Sequence, residues 1–499
     1  MAERWQTVIE MGCNTVLAPV TWEQLEPEEG HFDTTAIEGL LVGARSHGLR
    51  LVLLWFGSWK NGVSTYVPPW VKANPDRFGV QHLGGQRTAV LSPFVEANVD
   101  ADAKAFARLM SYLHEHDPEY TVVMVQVENE VGSLGDSRDR SPLAETFWAQ
   151  PVPEQLLSHL RTDPDSCLNE MVVEVPRDSA PNASWSEVFG ESEAADELFM
   201  AWHVASYVET VAAAGREQHD VPLFVNAWLN AGGDVGAEDL TGGSRPGDYP
   251  SGGPLPHVAA AWHAAAPTVD FLAPDIYVPE PEPWLERFSR VAPALFVPEL
   301  RRGELGVQAI YLAIGSYGAI GAAPFGIDEV REDQAVRLRR AYRQLAAISE
   351  DIIGAQQRDA ICGFVASPGR PSHVDLGGNR FTVTPDGIPI EGGPPQETGY
   401  GVILEVAENQ FLAAGYGFWL WPRTLDGEEV ILHTVQERGL EPEVSRAEGL
   451  PVVRWLNGDE TLSGRMVRVS NDTPFDFPSE IPVSRSMTGV VRFSLLPVP

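Results

Sequence analysis

The first 350 residues alternate short apolar runs with amphipathic stretches, and this alternation restricts the chain to a small set of folds. Apolar runs of this length, bounded by turn residues, are typical of strands that are buried on both faces. Strands that alternate with helices predict a parallel sheet, because each helix carries the chain back to begin the next strand in the same direction. The predicted strands lie within residues 14–20, 49–56, 122–132, 221–228, 269–277, 293–300 and 318–325.

A closed (β/α)8 barrel is favoured over an open sheet, since no GxGxxG turn follows a strand and the order shows no clear reversal. A barrel of this type needs eight strands, and the sequence provides seven. The chain begins inside a helical pattern, so we expect the absent strand to be the first, preceding Met1 in any longer version. The alternative is that another segment fills the gap.

Beyond residue 354 the pattern changes to short β-rich runs separated by Gly, Pro and Asp, without helices between them. This pattern is typical of an antiparallel β-sandwich. We therefore predict two domains, a barrel over 1–350 and a β-sandwich over 351–499. The predicted strands of the second domain are residues 361–365, 381–383, 400–406, 417–421, 430–435, 452–456, 466–469 and 490–495.

The formal net charge of −35 argues against nucleic acid and anionic membranes as partners, because both require a basic surface. No window contains the 18 or more apolar residues of a transmembrane helix, so we expect a soluble protein with a neutral substrate. Cys13, Cys167 and Cys362 are far apart and lack the spacing of metal ligands. The sequence thus predicts neither a disulfide framework nor a metal or cofactor site.

The N-terminal residues lack the charged and apolar regions of a signal peptide. A cytoplasmic location is the default expectation, and a secreted or periplasmic one applies if the N-terminus is incomplete. The sequence does not determine the oligomeric state, and a homo-oligomer stays an open alternative.

The run over 122–132 is uninterrupted apolar sequence that ends in Glu128, Asn129 and Glu130. The carboxyl ends of strands in a parallel barrel converge on one rim, where catalytic groups collect. Removing a carboxylate from water is costly, so the presence of carboxylates at this rim requires an explanation. For Glu128 two interpretations stay open, a residue that marks where the strand meets water and a functional carboxylate.

For Glu130 a functional interpretation is favoured, because a distant apolar run also ends in a glutamate. This is the run over 293–300, which contains Glu299. Two strand-terminal glutamates are what acid/base hydrolysis of a glycosidic bond requires.

With the first strand counted as absent, Glu130 and Glu299 follow barrel strands four and seven, the arrangement of a large clan of retaining glycosidases. The stretch Gln-Val-Glu-Asn-Glu-Val-Gly over 126–132 resembles the acid/base motif of glycoside hydrolase family 35, the β-galactosidases. Residues 14–23, 26–33 and 54–61 are similar to the bacterial branch of that family. The resemblance covers about the first 330 residues. The C-terminal part resembles the β-sandwich domain that follows the barrel in that branch.

The resemblance implies that Glu130 is the proton donor and that Glu299 is the nucleophile. It also implies that Asn129 binds the sugar 2-hydroxyl and that Tyr277 donates a hydrogen bond to Glu299. Further substrate-binding candidates are four aromatic residues for stacking and three polar residues for hydroxyl groups. These are Trp55, Trp59, Trp228 and Phe325, and Lys60, Asn61 and Asn226.

The leading prediction is a retaining exo-β-galactosidase that removes terminal non-reducing β-D-galactosyl residues by double displacement, with a carbohydrate as its partner. Two alternatives stay open. One is another β-glycosidase of the same clan, a β-glucosidase or β-xylosidase, since the sequence does not choose the sugar. The other is a catalytically silent carbohydrate-binding protein, although both glutamates are retained.

Overall fold

The computed structural model of the protein describes residues 2–162, 182–232, 243–387, 396–441, 449–456, 458–472, 476–477, 481–482 and 485–497. Cys167 lies outside the described residues. Cys13 and Cys362 carry free thiols. None of the described helices is long and apolar enough to cross a membrane.

The chain divides into two compact units, residues 1–9 with 13–300 and residues 10–12 with 301–499. Every predicted barrel strand up to residue 300 is observed, with ends that differ by a few residues. The first unit also contains a short β-hairpin, formed by β3 and β4, that was not predicted. The strands of the first unit are β1 (Thr15–Thr21), β2 (Arg50–Phe56), β3 (Val80–Leu83), β4 (Gln86–Leu91), β5 (Val122–Val127), β6 (Leu223–Trp228), β7 (Phe271–Ile276) and β8 (Phe296–Leu300).

Helices separate the strands of the parallel sheet in the first unit. A 3-10 turn over Pro256–Val258 precedes the tenth helix. The helices are α1 (Ala2–Glu10), α2 (Trp22–Leu25), α3 (Thr35–Ser46), α4 (Pro69–Lys72), α5 (Glu96–His116), α6 (Pro142–Trp148), α7 (Glu154–Thr162), α8 (Trp185–Phe189), α9 (Glu193–Arg216), α10 (Ala259–Ala265) and α11 (Glu282–Val291).

The main sheet is curled, parallel and seven-stranded, in the order β1-β2-β5-β6-β7-β8-β9, where β9 is Gly321–Pro324. The predicted fold class, a TIM-barrel-like sheet with seven strands, is confirmed, and no eighth strand joins this sheet in the described part of the chain. Its apolar strands are buried because helices cover such a sheet on its outer face. Buried side chains of the first unit form a core cluster of Val52, Phe224, Phe271, Ala273, Ala292 and Phe296.

The second unit begins at residue 301 rather than 351, because three helices pack with the β-rich region. For example, Tyr311 of α12 donates a hydrogen bond to Gln344 of α13, and the Gln344 amide donates to the backbone oxygen of Gly415 at 3.0 Å. A 3-10 turn over Ile327–Glu329 lies between the first two helices. They are α12 (Glu304–Ser316), α13 (Glu332–Ala347) and α14 (Ser349–Gln356).

The strands of the second unit form antiparallel sheets of six and four strands, in the orders β10-β13-β14-β21-β16-β17 and β11-β12-β15-β18, plus the short pair β19-β20. Side chains from both larger sheets, including Phe364, Phe381 and Phe493, share one apolar core, as a sandwich requires. The strands are β10 (Ile361–Ala366), β11 (Ser372–Leu376), β12 (Asn379–Pro385), β13 (Gly399–Ala407), β14 (Gln410–Tyr416), β15 (Phe418–Thr424), β16 (Val430–Arg438), β17 (Val452–Trp455), β18 (Val467–Val469), β19 (Asp476–Phe477), β20 (Ile481–Pro482) and β21 (Val490–Pro497).

Candidate active site

Glu130 and Glu299 come together at the carboxyl end of the parallel sheet. Glu130 follows β5, Glu299 lies in β8, and their side chains are nearly buried, at 8% and 9% exposure. A third acid, Asp275 of β7, joins them, and one carboxylate oxygen from each of the three residues lies within 4.8 Å of the other two. The sheet therefore concentrates three acidic groups at the rim where a parallel barrel places its chemistry.

Strand register explains why Asp275 lies beside Glu299. Strands β7 and β8 are parallel neighbours, and Asp275 pairs directly with Glu299. Residues paired across adjacent strands project to the same face of the sheet. Two residues later, the Tyr277 hydroxyl donates to Glu299 Oε2 at 2.7 Å. The predicted contact between Tyr277 and Glu299 is therefore present.

Asn226 of β6 links the strands that carry the acids. Its Oδ1 accepts the backbone N–H of Glu130 at 3.1 Å, and its Nδ2 donates to Asp275 Oδ2 at 2.5 Å. The side chain of Asn226 is buried, at 1% exposure. Asn226 thus orients the acids, and its two amide atoms already have protein partners.

The backbone turns sharply where β5 ends. Glu128 and Glu130 have φ angles of 63° and 46°, in the left-handed region that residues with a Cβ rarely adopt. Such conformations cost about 1–3 kcal/mol each and persist where the surroundings hold them. Here the Asn226 contact to the Glu130 backbone and buried contacts of Glu128 hold the turn, which aims two successive glutamates in different directions.

Burial and neighbouring charge separate the protonation of these acids. The pKa of Glu130 is raised to about 7, first by burial and then by the Glu299 charge, while the Lys60 ammonium opposes both. Burial also raises the pKa of Asp275 well above its usual range, followed by the charges of Glu299 and Glu130. The pKa of the Tyr277 hydroxyl is raised, first by burial and then by Glu299. Glu130 can therefore hold a proton near neutral pH, as a general acid requires.

Glu128 does not mark the point where the strand meets water, because its side chain is completely buried. Its two oxygens accept the backbone N–H groups of Ser58 and Trp59, at 3.1 and 2.7 Å. Burial raises the pKa of Glu128 well above its usual range, and the adjacent Asp102 carboxylate adds to this effect. Asp102 itself accepts from the Ser58 N–H at 3.0 Å. The two acids hold the loop that follows β2.

Gly57 allows this loop to approach the two acids. A Cβ at this position would lie 2.4 Å from Trp55 Nε1, 2.5 Å from Glu128 Oε1 and 2.6 Å from Asp102 Oδ1. No side chain fits these distances. The loop therefore needs glycine here in order to bring the following residues to the rim.

The polar candidates of this loop lie next to the acids. The Asn61 N–H donates to Asn129 Oδ1 at 3.3 Å, and the Lys60 ammonium contacts the Asn61 side chain and acts on the pKa of Glu130. Asn129 is buried, and its Nδ2 has no hydrogen-bond partner among the described residues. Buried donors are normally paired, so this amide is suited to a ligand oxygen. The predicted role of Asn129 at the 2-hydroxyl stays a prediction.

The four aromatic candidates have different surroundings. Trp55 is wrong as a stacking residue, because its ring is completely buried and its Nε1 donates to Asp102 at 2.9 Å. Trp59 is also buried, at 1% exposure, with its ring edge against Tyr207. Trp228 is half-buried, and no described group accepts from its Nε1. Phe325 is 58% exposed and belongs to the second unit.

Asp275 and Asp102 are two site residues that the sequence analysis missed. Asp275 lies inside a predicted strand, in the sequence Ala-Pro-Asp-Ile-Tyr, and its position two residues before Tyr277 was the available signal. Asp102 lies in α5, far from any strand end, and nothing local distinguishes it from a surface acid.

Two family models match the sequence. The model of glycoside hydrolase family 42, described as β-galactosidase, matches residues 1–156. The model of a domain of unknown function, DUF5597, matches residues 338–468. The first match corrects the resemblance to family 35, although both families belong to one clan. A short motif around an acid/base glutamate does not separate two families of a clan. No curated protein matches the sequence.

Similar solved structures include two β-galactosidases and a β-amylase. The β-galactosidase of the psychrophilic Marinomonas ef1 is 12% identical over 71% of this chain and 58% of its own, with a TM-score of 0.47. The β-galactosidase of Bacillus circulans sp. alkalophilus is 12% identical over 71% and 55%, with a TM-score of 0.46. The β-amylase catalytic domain of Paenibacillus polymyxa is 14% identical over 67% and 90%, with a TM-score of 0.44.

The chain thus spans less than three-fifths of the length of these two β-galactosidases. The matched sequence region, residues 1–156, is similar to glycoside hydrolase family 42 and includes Glu130 but stops before Glu299.

Proposed function

We propose that the protein is a retaining exo-glycosidase that hydrolyses terminal non-reducing β-D-galactosyl residues by double displacement. The observation that carries the proposal is the pair of nearly buried acids, Glu130 and Glu299, whose oxygens lie within 4.8 Å. Retaining enzymes place their two carboxyl groups about 5–5.5 Å apart, whereas inverting enzymes need about 6.5–9.5 Å to admit a water. The short separation favours direct attack by a carboxylate on the sugar.

In the first step, Glu299 attacks the anomeric carbon while Glu130 gives its proton to the leaving oxygen. The Tyr277 hydroxyl, 2.7 Å from Glu299 Oε2, keeps the nucleophile aimed. In the second step, water attacks the glycosyl-enzyme and gives its proton to Glu130. Esterification removes the charge of Glu299, which is one of the causes that raise the pKa of Glu130, so Glu130 becomes able to act as base.

The choice of galactose is supported by the family 42 match over residues 1–156. We expect aryl β-galactoside to be hydrolysed faster than aryl β-glucoside and aryl β-xyloside. Faster turnover of either competitor overturns the choice of sugar. Binding of galactosides by folded protein without any turnover identifies a carbohydrate-binding protein instead.

The mechanism is tested by substituting each glutamate. Glu299→Gln abolishes turnover, because it removes the nucleophile. Glu130→Ala slows substrates with poor leaving groups by about 10²–10⁴-fold, the range of general acid catalysis. Azide restores turnover of Glu130→Ala with an activated substrate and yields the β-glycosyl azide. An α-glycosyl azide, or the absence of rescue, contradicts these roles.

A matched control is Glu286→Ala, which removes a half-exposed glutamate of α11 that pairs with Arg290. We expect unchanged kinetics for this variant. NMR of the product first released provides an independent readout, since a retaining enzyme releases the β-anomer.

A further inference from the structure

Asp275 occupies a position that the double displacement does not explain. Its side chain is buried, at 3% exposure, and its Oδ2 accepts from Asn226 at 2.5 Å. Its Oδ1 is also buried, and no N–H or O–H donor of the described residues reaches it. A buried carboxylate oxygen without a donor is costly, so the Asp275 carboxyl group needs another form of compensation.

The group opposite Asp275 is the Glu130 carboxyl, and one carboxylate oxygen of each residue lies within 4.8 Å of the other. Two carboxyl groups form a hydrogen bond only when one of them carries a proton. Strand register also fixes Asp275 beside Glu299, the group that must be ionised for attack. Three adjacent negative charges would repel one another, and the Lys60 ammonium opposes this only in part, which makes full ionisation unfavourable.

We propose that Asp275 is a positioning residue that stays protonated and donates its carboxyl proton in a hydrogen bond to Glu130. This inference deepens the proposed glycosidase function and rests on it. Asn226 completes the arrangement, because it accepts the Glu130 backbone N–H through Oδ1 and donates to Asp275 through Nδ2. Asp275 thereby stabilises the Glu130 carboxylate that forms when Glu130 protonates the leaving group, and it keeps its own proton throughout.

Two of the groups that face Asp275 favour this assignment, and one opposes it. Glu130 accepts the proposed hydrogen bond, and Glu299 favours the neutral form of Asp275 through its charge. The Lys60 ammonium has the opposite effect and lowers the pKa of Asp275. The Tyr277 hydroxyl donates to Glu299.

Asp275→Asn tests the proposal directly, because asparagine has the shape of a protonated aspartate. Its Oδ1 accepts from Asn226 and its Nδ2 donates to Glu130. In the pH profile of kcat/KM, we expect the midpoint of the alkaline limb of this variant to lie within a few tenths of a pH unit of the wild-type value. Asp275→Ala removes the donor, so the pKa of Glu130 rises and the alkaline limb moves up by about one to two pH units. An alkaline limb that moves downward in Asp275→Asn shows an ionised Asp275 and overturns the proposal.

Infrared spectroscopy of the full chain tests the protonation state without requiring activity. The carbonyl stretch of a protonated carboxyl group is separate from that of a carboxylate. At pH 7 the spectrum of the wild type minus that of Asp275→Asn should show one lost protonated-carboxyl band. The matched control is Asp375→Asn, since the Arg380 guanidinium keeps the pKa of Asp375 below its usual range, and no such band should be lost.

The outcomes separate this inference from the proposed function. If the band is lost in Asp275→Asn but the wild type hydrolyses no aryl β-glycoside, the glycosidase function is overturned and the protonated Asp275 is retained. Turnover without a lost band overturns the role of Asp275 alone. Failure of Asp275→Asn to fold also counts against the proposal, because a neutral isostere should replace a protonated aspartate.

Discussion

The hydrogen bond from Tyr277 to Glu299 is the contact whose removal gives the sharpest test of the site. Tyr277→Phe removes one hydroxyl and keeps the ring that fills the half-buried position. The bond is 2.7 Å long, and its acceptor, Glu299, is 9% exposed, so water replaces the lost donor poorly. The raised pKa of Tyr277 keeps its hydroxyl protonated, and therefore a donor, through the usable pH range.

A hydrogen bond to a charged group contributes about 1.5–3 kcal/mol. If this stabilisation is needed to hold the nucleophile in its attacking orientation, Tyr277→Phe lowers kcat/KM by about 10- to 100-fold. The assay is the initial rate of aryl β-galactoside hydrolysis, with thermal unfolding measured on the same samples.

The matched control is Tyr249→Phe, which removes a similar hydroxyl from a buried glutamate, Glu197, at 2.9 Å. Glu197 keeps a second partner, since His257 Nε2 lies 3.0 Å from its other oxygen. We expect Tyr249→Phe to lower stability by about 1–3 kcal/mol and to leave kcat/KM within about twofold. Full activity of Tyr277→Phe, or equal loss of activity in both variants, refutes the reasoning.

Two further predictions concern stability. The pKa of Glu130 is raised from 4.5 to about 7, so between these pH values the folded state retains a proton that the unfolded state releases. The free energy of unfolding therefore falls as pH rises from about 4.5 to 7, by on the order of 3 kcal/mol. Glu130→Gln should flatten this part of the curve in denaturant titrations, and an unchanged slope contradicts the assignment. Asp386→Ala removes a buried carboxylate that accepts from the Arg468 guanidinium at 2.6 Å and from the Asn471 backbone N–H at 2.9 Å, and it should destabilise the second unit by about 3–5 kcal/mol. Removal of the exposed Asp375–Arg380 pair should cost much less, and equal losses in urea unfolding would rule this out.

Much of the fold follows from local patterns in the sequence. Apolar runs bounded by turn residues indicated every strand of the parallel sheet, because strands buried on both faces must be apolar throughout. The glutamates at the ends of two such runs were visible for the same reason, since a carboxylate interrupts an apolar pattern. Glu130 and Glu299 could therefore be selected as a pair although 168 positions separate them.

Tertiary structure decided which other residues join this pair. Asp275 lies beside Glu299 because of strand register, and Asp102 reaches Glu128 from a helix. Register and helix packing depend on contacts between segments that are distant in sequence, which no local pattern encodes. Trp55 shows the same limit, because an aromatic residue at a strand end has the same local sequence whether it faces a sugar or the core.

The sequence by itself determined the strands of the parallel sheet and the two glutamates. Only the tertiary structure decided that the second unit begins at residue 301 and that Glu128 is buried. The physical reason is that secondary structure and hydrophobic burial act over a few residues, whereas the partner of a buried polar group is chosen by the packing of whole elements.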